Sequence, residues 1–173
     1  MHIWTIGHSN HPLSVFIDML TAHAIHTVAD IRSFPGSRKY PWFNSGPLSA
    51  TLRAADIEYE SLRELGGRRR PSRQSVNAAW RNASFRGYAD YMQTPEFHAG
   101  IERLLALAAA HPTVIMCAEA LWWRCHRALV SDYLKVSGIQ VWHILSAGKT
   151  QEHPYTSAAR IVRGVLTYPG DAN

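Results

Sequence analysis

The fold of this chain is decided at residues 114–127, which read VIMCAEALWWRCHR. The apolar residues at the start of this stretch predict a buried strand, and its last residues predict the start of a helix. Both cysteines of the chain lie here, eight positions apart, beside a carboxylate, an imidazole and two guanidinium groups. This density of reactive side chains at a strand-to-helix turn is typical of a functional site, although it does not identify a reaction.

The composition predicts a single soluble domain that spans residues 1–173. The chain is 46% hydrophobic and 18% charged, a balance that suits a globular protein better than a disordered one. No apolar run of about 18 residues indicates a membrane span, and the first residues lack the pattern of a signal peptide. Because two cysteines are too few for a disulfide scaffold, we expect a cytoplasmic protein.

Strand and helix patterns alternate along most of the chain. Strands are predicted at residues 2–7, 27–32, 57–62, 113–117 and 140–145. Helices are predicted after Pro12, at residues 48–55, after Thr94 and at about 125–137. This alternation predicts an α/β fold, a single three-layer domain in which helices cover both faces of a mainly parallel sheet of roughly five strands. We interpret residues 35–47 as a loop and the tail from about residue 148 as irregular, apart from a candidate strand at 165–168.

Polar residues follow the predicted strands at the edge where ligands bind in parallel sheets. They are His8, Ser9, Asp30, Arg32, Cys117, Glu119 and His143. Because the carboxyl ends of parallel strands share one edge, we expect these side chains to lie around a common cleft.

The sequence Cys125-His126-Arg127 falls at the predicted start of a helix. Unpaired backbone N–H groups and the helix dipole favour an anion at that position. A thiol there, between two arginines and beside a histidine, should have a lowered pKa and act as a nucleophile. Arg127 can also bind an oxyanion or phosphate in a forked geometry. The alternative is a buried small cysteine, with His126 and Arg127 paired to neighbouring carboxylates.

Cys117 and Glu119 end a central strand, and each allows two interpretations. Glu119 can act as a general base, or it can form an ion pair with Arg127 or Arg32. Cys117 is either a second thiol of the site or a small core residue.

The earlier strand ends offer two further candidate pairs. His8 and Ser9 can orient an anionic group, whereas the alternative is that Ser9 or Asn10 only caps the following helix. Asp30 and Arg32 lie on the same face of their strand, since strand side chains alternate. They form either an internal ion pair or a clamp for the substrate.

The basic charge is concentrated in a loop at about 63–86. This stretch holds seven arginines and one acid, a net charge of +6, whereas the whole chain carries +5. Its Arg68, Arg69 and Arg70 support an alternative function as a non-catalytic nucleic-acid or nucleotide-binding module. Aromatic residues that could stack on bases follow at Trp80, Phe85, Tyr88 and Tyr91. They can instead return to the core and leave a solvated loop.

A metal site is a second alternative. Cys117, Cys125 and His126 could bind zinc if His8 or His143 completed the set, but their spacing does not match the usual zinc motifs. The Gly-rich motifs of nucleotide cofactor sites are absent from the sequence. We therefore expect no cofactor, and a bound metal is not favoured.

Six short motifs along the chain match one protein family. They are Thr5-Ile6-Gly7-His8-Ser9, Asp30-Ile31-Arg32-Ser33-Phe34-Pro35, Leu65-Gly66-Gly67, Cys117-Ala118-Glu119, Cys125-His126-Arg127 and His153-Pro154-Tyr155-Thr156. Because they occur in the family's order over most of the chain, the chain resembles the family called Domain of Unknown Function 488. The resemblance implies a compact α/β domain and supports a site at the cysteine-histidine-arginine motif. It implies no reaction, and no functional residue is carried over from the tail.

Our first hypothesis is an enzyme that acts on an anionic, phosphate-bearing or nucleotide-like substrate at the carboxyl edge of the sheet. We assign charge binding to Arg32, beside Asp30, and to Arg127, substrate orientation to His8 and Ser9, proton transfer to Glu119 or His126, and the thiol to Cys125 or Cys117.

Overall fold

A six-stranded sheet lies at the centre of the computed structural model, which describes residues 1–170. The strands are β1 (His2–Gly7), β2 (Thr27–Asp30), β3 (Glu58–Ser61), β4 (Thr113–Cys117), β5 (Gln140–Ser146) and β6 (Lys149–Glu152). Their order is β3-β2-β4-β1-β5-β6, with β1 to β5 parallel and β6 antiparallel to β5. The predicted α/β fold with a mainly parallel sheet is confirmed.

Within residues 1–170, five α-helices cover the two faces of the sheet. They are α1 (Leu13–Ala22), α2 (Ser45–Ala54), α3 (Ala83–Tyr91), α4 (Pro95–Ala110) and α5 (Arg127–Val136). Side chains alternate along each strand, so neighbouring residues enter different cores. Val114 and Met116 of β4 pack with α1 and α2 on one face, whereas Ile115 packs with α3, α4 and α5 on the other. None of these helices combines the length and the apolar character needed to cross a lipid bilayer.

Prolines lie in the first turns of α2 and α4. The Thr94 side chain caps α4 by accepting a hydrogen bond from a first-turn N–H, and Pro95 follows it, where a missing N–H is tolerated, as the sequence predicts. Helix α2 begins at Ser45, inside the segment predicted to be a loop, because Pro47 also falls in a first turn. A proline near a helix start therefore resembles a loop signal in the sequence.

The described tail contains more regular structure than the sequence predicts. β6 pairs with β5, and a hairpin of β7 (Arg160–Val162) and β8 (Val165–Thr167) follows. The candidate strand at 165–168 is confirmed as β8, and β6 and β7 are strands of the tail that the sequence did not predict. β6 has no apolar pattern because its sequence, KTQE, lies at the solvated edge of the sheet.

A buried carboxylate ties the tail to α5. Asp132 is fully buried and accepts hydrogen bonds from His153 Nε2 (2.8 Å), the Thr156 N–H (3.0 Å), the Thr156 hydroxyl (2.6 Å) and the Tyr168 hydroxyl (2.8 Å). A buried carboxylate is costly unless its lone pairs are used. These four bonds therefore fix the tail against the helix.

We expect Asp132→Asn to lower the free energy of unfolding by about 2–4 kcal/mol, because an amide nitrogen replaces one acceptor and leaves buried donors unpaired. Asp18→Asn on the exposed face of α1 is the matched control and should change it by less than about 0.5 kcal/mol. Urea denaturation followed by circular dichroism measures both values. Equal stability of the two variants would contradict the anchoring role of Asp132.

Candidate functional site

A cleft of about 770 Å³ opens at the carboxyl edge of β1, β2 and β4. Seven of the predicted site residues line it: His8, Ser9, Arg32, Cys117, Glu119, Cys125 and His126. Asp30 and Arg127 lie behind its wall, and His143 is buried in the interior. The segments that follow three different strands therefore meet at one opening.

The close approach of two strand ends requires glycine at position 7. A Cβ atom there would lie 1.8 Å from the Glu119 carbonyl oxygen, so no other residue fits. Beyond Gly7 the β1–β4 pairing continues into the loops, and the His8 N–H donates to the Cys117 carbonyl oxygen at 2.9 Å. This pairing brings the histidine to the cleft next to the first cysteine.

The two cysteine sulfurs lie 3.1 Å apart in the wall of the cleft. Cys117 ends β4 and is buried, whereas Cys125 is half-buried. Helix α5 begins at Arg127, two residues later than predicted, because Cys125 is extended. The Cys125 sulfur accepts hydrogen bonds from the Arg127 backbone N–H (3.3 Å) and Nε (3.4 Å), so it satisfies the N–H of the first residue of α5.

Arg127 is almost completely buried, with 1% of its surface exposed. Its Nη1 donates to the Thr5 hydroxyl at 3.1 Å, and its Nη2 donates to the carbonyl oxygens of Glu119 (2.6 Å) and Ala120 (3.2 Å). Among residues 1–170 no carboxylate forms an ion pair with it, so the Cys125 sulfur is its anionic contact. The alternative in which Glu119 pairs with Arg127 is therefore not found among residues 1–170. Burial keeps the guanidinium out of the cleft, where we expected it to bind substrate.

These contacts separate the pKa values of the two thiols. Burial raises the pKa of Cys117 well above its usual value, and the hydrogen bond to Cys125 raises it further. Burial also acts to raise the pKa of Cys125, but the hydrogen bond from Cys117 and the positive charge of Arg127 outweigh it and lower that pKa well below its usual range. These contacts therefore favour the thiolate form at Cys125 and the thiol form at Cys117.

His126 presents an unprotonated nitrogen near the cysteines. Its Nε2 lies 2.8 Å from the Ile31 carbonyl oxygen, which can only accept, so this nitrogen carries the proton. Burial lowers the pKa of His126 and keeps the ring neutral. A Cβ atom at Gly67 would lie 2.9 Å from Nδ1, so glycine is needed beside the ring. Nδ1 is therefore an acceptor in the wall of the cleft.

Asp30 and Arg32 form the internal ion pair of the two predicted alternatives. Arg32 donates from Nε and Nη2 to the two carboxylate oxygens of Asp30 at 2.9 and 2.7 Å. The Tyr59 hydroxyl donates to the same carboxylate. Asp30 is fully buried, so it positions Arg32 instead of contacting a ligand as we expected.

His8 is held in its neutral form. Burial lowers its pKa to about 4. Its Nδ1 donates to the Ser9 carbonyl oxygen at 2.9 Å, its Nε2 accepts from Arg32 at 3.3 Å, and its ring stacks on Phe43 at a centroid distance of 4.3 Å. The histidine therefore supports Arg32 at the cleft, whereas we expected it to orient the substrate itself.

Ser9 and Glu119 lie at the cleft with few partners. Ser9 does not cap α1, whose N-cap is Pro12, so the capping alternative is wrong. The Glu119 carboxylate accepts a hydrogen bond from the Leu121 N–H at 3.3 Å and forms no ion pair in the part of the chain that the structure describes. Both side chains are therefore open to a ligand.

The lining of the cleft is electropositive. Its basic side chains are Arg32, Lys39, Arg68 and Arg124, and its acidic side chain is Glu119. Lys39 belongs to no motif and reaches the cleft only through the fold of the loop after β2. The Arg68 guanidinium lies 5.1 Å above the exposed ring of Phe34. Because Asp30 pairs with Arg32, the three other cations against one carboxylate favour an anionic ligand.

A buried hydrogen-bond chain runs from Arg127 to Asp132. Beyond the Arg127 contact, Thr5 Oγ1 bonds to His143 Nδ1. His143 Nε2 then lies 2.8 Å from His153 Nδ1, and His153 Nε2 lies 2.8 Å from Asp132. This series of hydrogen bonds has a cation at one end and a carboxylate at the other. Every donor and acceptor in it has a partner when each group donates a proton toward the carboxylate. Both histidines are then neutral, in agreement with the burial that lowers the pKa of His143.

Sequence reasoning missed this chain, although weak signals exist. Thr5 and His143 interrupt otherwise apolar strands, and buried polar side chains require partners. His153 opens the tail motif at 153–156. Their pairing depends on the strand order, which the alternation of elements does not provide. His143, which we expected at the cleft, faces the core because strand side chains alternate.

The cysteines and His126 do not gather a set of metal ligands. Across residues 1–170 no group of three or more His, Cys, Asp or Glu side chains could hold a metal ion. Of the two histidines considered for such a site, His8 is bonded to Arg32, and His143 lies within the buried chain.

The aromatic side chains of the arginine-rich loop pack against the rest of the protein. Trp80 packs against Phe85 and Tyr168, with ring centroids 5.1 and 5.5 Å apart. Arg69 lies 3.7 Å above the Tyr91 ring. The exposed arginines of the loop are Arg63, Arg68, Arg70, Arg73 and Arg81. Of the two alternatives, the aromatic residues return to the core, so nucleic-acid binding through this loop would rest on phosphate contacts.

Comparison with known proteins identifies one family. The family model described as domain of unknown function DUF488 matches residues 12–134, which include both cysteines, His126 and Arg127. No curated protein and no solved structure gives a significant match. The family match covers well over half of the chain and includes four of the six motifs. The chain therefore belongs to the DUF488 family.

Proposed function

We propose that the protein is an enzyme in which the Cys125 thiolate attacks an anionic, phosphate-bearing or nucleotide-like substrate. The observation that carries the proposal is the setting of the Cys125 sulfur, which lines the cleft and contacts Arg127 Nε at 3.4 Å and the Cys117 sulfur at 3.1 Å. The thiolate is the nucleophilic form of cysteine, and a nearby cation and a helix N-terminus favour it near neutral pH.

A purely structural cysteine fits these contacts less well. Structural cysteines are buried in apolar surroundings, where the thiol stays neutral and inert. Cys125 is half-buried, opens to the cleft and lies at the start of α5. A neutral side chain in its place would leave the buried Arg127 guanidinium without an anion in contact, which is costly.

The lining supports an anionic substrate with a planar part. Lys39, Arg68 and Arg124 can attract phosphate or carboxylate groups, and the exposed ring of Phe34 offers a stacking surface. The volume of about 770 Å³ lies within the range of roughly 300–1,000 Å³ that small-molecule sites occupy. A nucleotide-sized ligand therefore fits both the charge and the size of the cleft.

Two proton acceptors support turnover at the same cleft. His126 Nδ1 is unprotonated because Nε2 donates to the Ile31 carbonyl, and the Glu119 carboxylate has no ion-pair partner within residues 1–170. Either group can remove a proton from water that releases an intermediate from Cys125. Both line the cleft together with the cysteine.

Iodoacetamide should alkylate Cys125 at near-neutral pH faster than it alkylates a free thiol. Because the pKa of Cys125 is lowered, the rate should rise with pH through an inflection well below about 8.5 and then level off. Cys125→Ser should abolish this labelling, and Cys117→Ser should retain it. Intact mass spectrometry over a pH series measures the rate, and kinetics equal to those of a free thiol at every pH would refute an activated cysteine.

Inorganic phosphate and a nucleoside monophosphate should slow this alkylation by occupying the cleft. Protection should weaken by about threefold to tenfold in the Lys39→Gln/Arg124→Gln double variant, because two cations of the lining are removed. Arg53→Gln is the control, since this exposed arginine of α2 does not line the cleft. Identical protection in the double variant and the control would show that the cleft does not bind the anion.

A further inference from the structure

Cys117 is a second thiol that the nucleophilic role of Cys125 does not require. It is buried at the end of β4, 3.1 Å from the Cys125 sulfur, and its thiol also contacts the Glu119 carbonyl oxygen at 3.5 Å. A hydroxyl or a backbone N–H could supply the same hydrogen bond to a thiolate. A thiol differs from those donors in one respect, because it can attack an oxidised sulfur.

We propose that Cys117 and Cys125 form a dithiol that reduces a hydroperoxide carrying an anionic group, with Cys117 as the thiol that resolves the oxidised intermediate. The juxtaposition of the two sulfurs in the wall of an electropositive cleft carries this inference. It rests on the proposed function, since Cys125 must first act as a nucleophile.

The reaction has two balanced steps. The Cys125 thiolate attacks the terminal oxygen of the hydroperoxide, the S–O bond forms as the O–O bond breaks, and the alkoxide leaves and takes a proton from solvent as the alcohol. Cys125 is oxidised to sulfenic acid, and the peroxide is reduced. Cys117 then attacks that sulfur, the S–S bond forms as the S–O bond breaks, and the departing hydroxide takes the Cys117 proton as water. The dithiol and the hydroperoxide thus yield the disulfide, an alcohol and water.

The geometry permits the second step with little movement. A disulfide bond is about 2.05 Å long, so the two sulfurs need to approach by only about 1 Å. Cys117 is fixed at the end of a central strand, and Cys125 lies before α5 in the loop that returns to that strand end. At a separation of 3.1 Å no other atom fits between the two sulfurs.

The disulfide formed in this way should be readily reduced again. In the dithiol state the Cys125 thiolate neutralises the buried guanidinium of Arg127. A disulfide is uncharged, so Arg127 would then keep only its hydrogen bonds and the distant carboxylate of Asp132. Stabilising the reduced form makes a disulfide more oxidising, and such a reversible pair suits the reducing compartment that we expect for this protein.

Reduced protein treated with one equivalent of hydrogen peroxide, the simplest member of the class, should form the Cys117–Cys125 disulfide and lose about 2 Da. In Cys117→Ser the same treatment should leave Cys125 as a sulfenic acid, which dimedone traps in at least about tenfold greater yield than in the parent protein. Serine keeps a hydroxyl donor but cannot resolve the intermediate. Cys117→Ala, which should trap to the same extent, serves if the serine variant does not fold. Glutathione should return the oxidised parent protein to the dithiol.

Two outcomes would overturn the inference. Equal dimedone trapping in the parent protein and both Cys117 variants would show that Cys117 does not resolve, and the proposed function would survive if iodoacetamide still alkylated Cys125 near neutral pH. If iodoacetamide alkylates Cys125 no faster than a free thiol, Cys125 is not an activated nucleophile, and both proposals are wrong.

The preference for a hydroperoxide that carries an anionic group can be tested separately. A hydroperoxide that bears a carboxylate should oxidise Cys125 at least about threefold faster than a neutral alkyl hydroperoxide, and the difference should shrink in the Lys39→Gln/Arg124→Gln variant. Equal rates for the two hydroperoxides in the parent protein would overturn this part of the inference.

Discussion

The interior of this protein holds a guanidinium group, that of Arg127, whose contacting counter-charge is a sulfur atom. Taking such a cation out of water costs several kcal/mol unless charge and hydrogen bonds compensate it. The oxygens of Thr5, Glu119 and Ala120 supply the hydrogen bonds, and the Cys125 thiolate supplies the charge. This one cation therefore binds two backbone carbonyls of the loop after β4 and favours the thiolate form of Cys125.

The same cation couples the cysteine-bearing turn to the C-terminal part of the chain. Through Thr5, His143 and His153 it is linked to Asp132, which also anchors the tail. The first three of these residues lie outside the segment 12–134 that the family model matches. The tail therefore takes part in the electrostatics of the site although it contributes no side chain to the lining of the cleft. Because three neutral groups separate Asp132 from the guanidinium, the thiolate stays the dominant partner of Arg127.

Local patterns predicted the fold and the residues around the cleft, because strand and helix periods are visible in short windows. The rule that ligands bind at the carboxyl edge of a parallel sheet then correctly predicted that residues such as His8 and Cys117 line one cleft. The direction in which a long side chain points depends on residues that are distant in the sequence. Arg127 turns inward because the order β4-β1-β5 puts Thr5 within its reach. His8 bonds to Arg32 across β4, which separates their strands, and no sequence pattern indicates such a pairing.

The titration of the Cys125 thiolate tests the central claim most directly. Cys117→Ser carries a single thiol, so its thiolate absorbance in the ultraviolet reports Cys125 alone. That absorbance should persist as the pH falls and disappear only well below the usual thiol pKa of about 8.5. With Arg127→Met added, the pKa should return to that value or rise above it, because the buried thiolate loses its cation. A pKa of Cys125 that is ordinary in the single variant, or that is unchanged when Arg127 is replaced, would contradict the account.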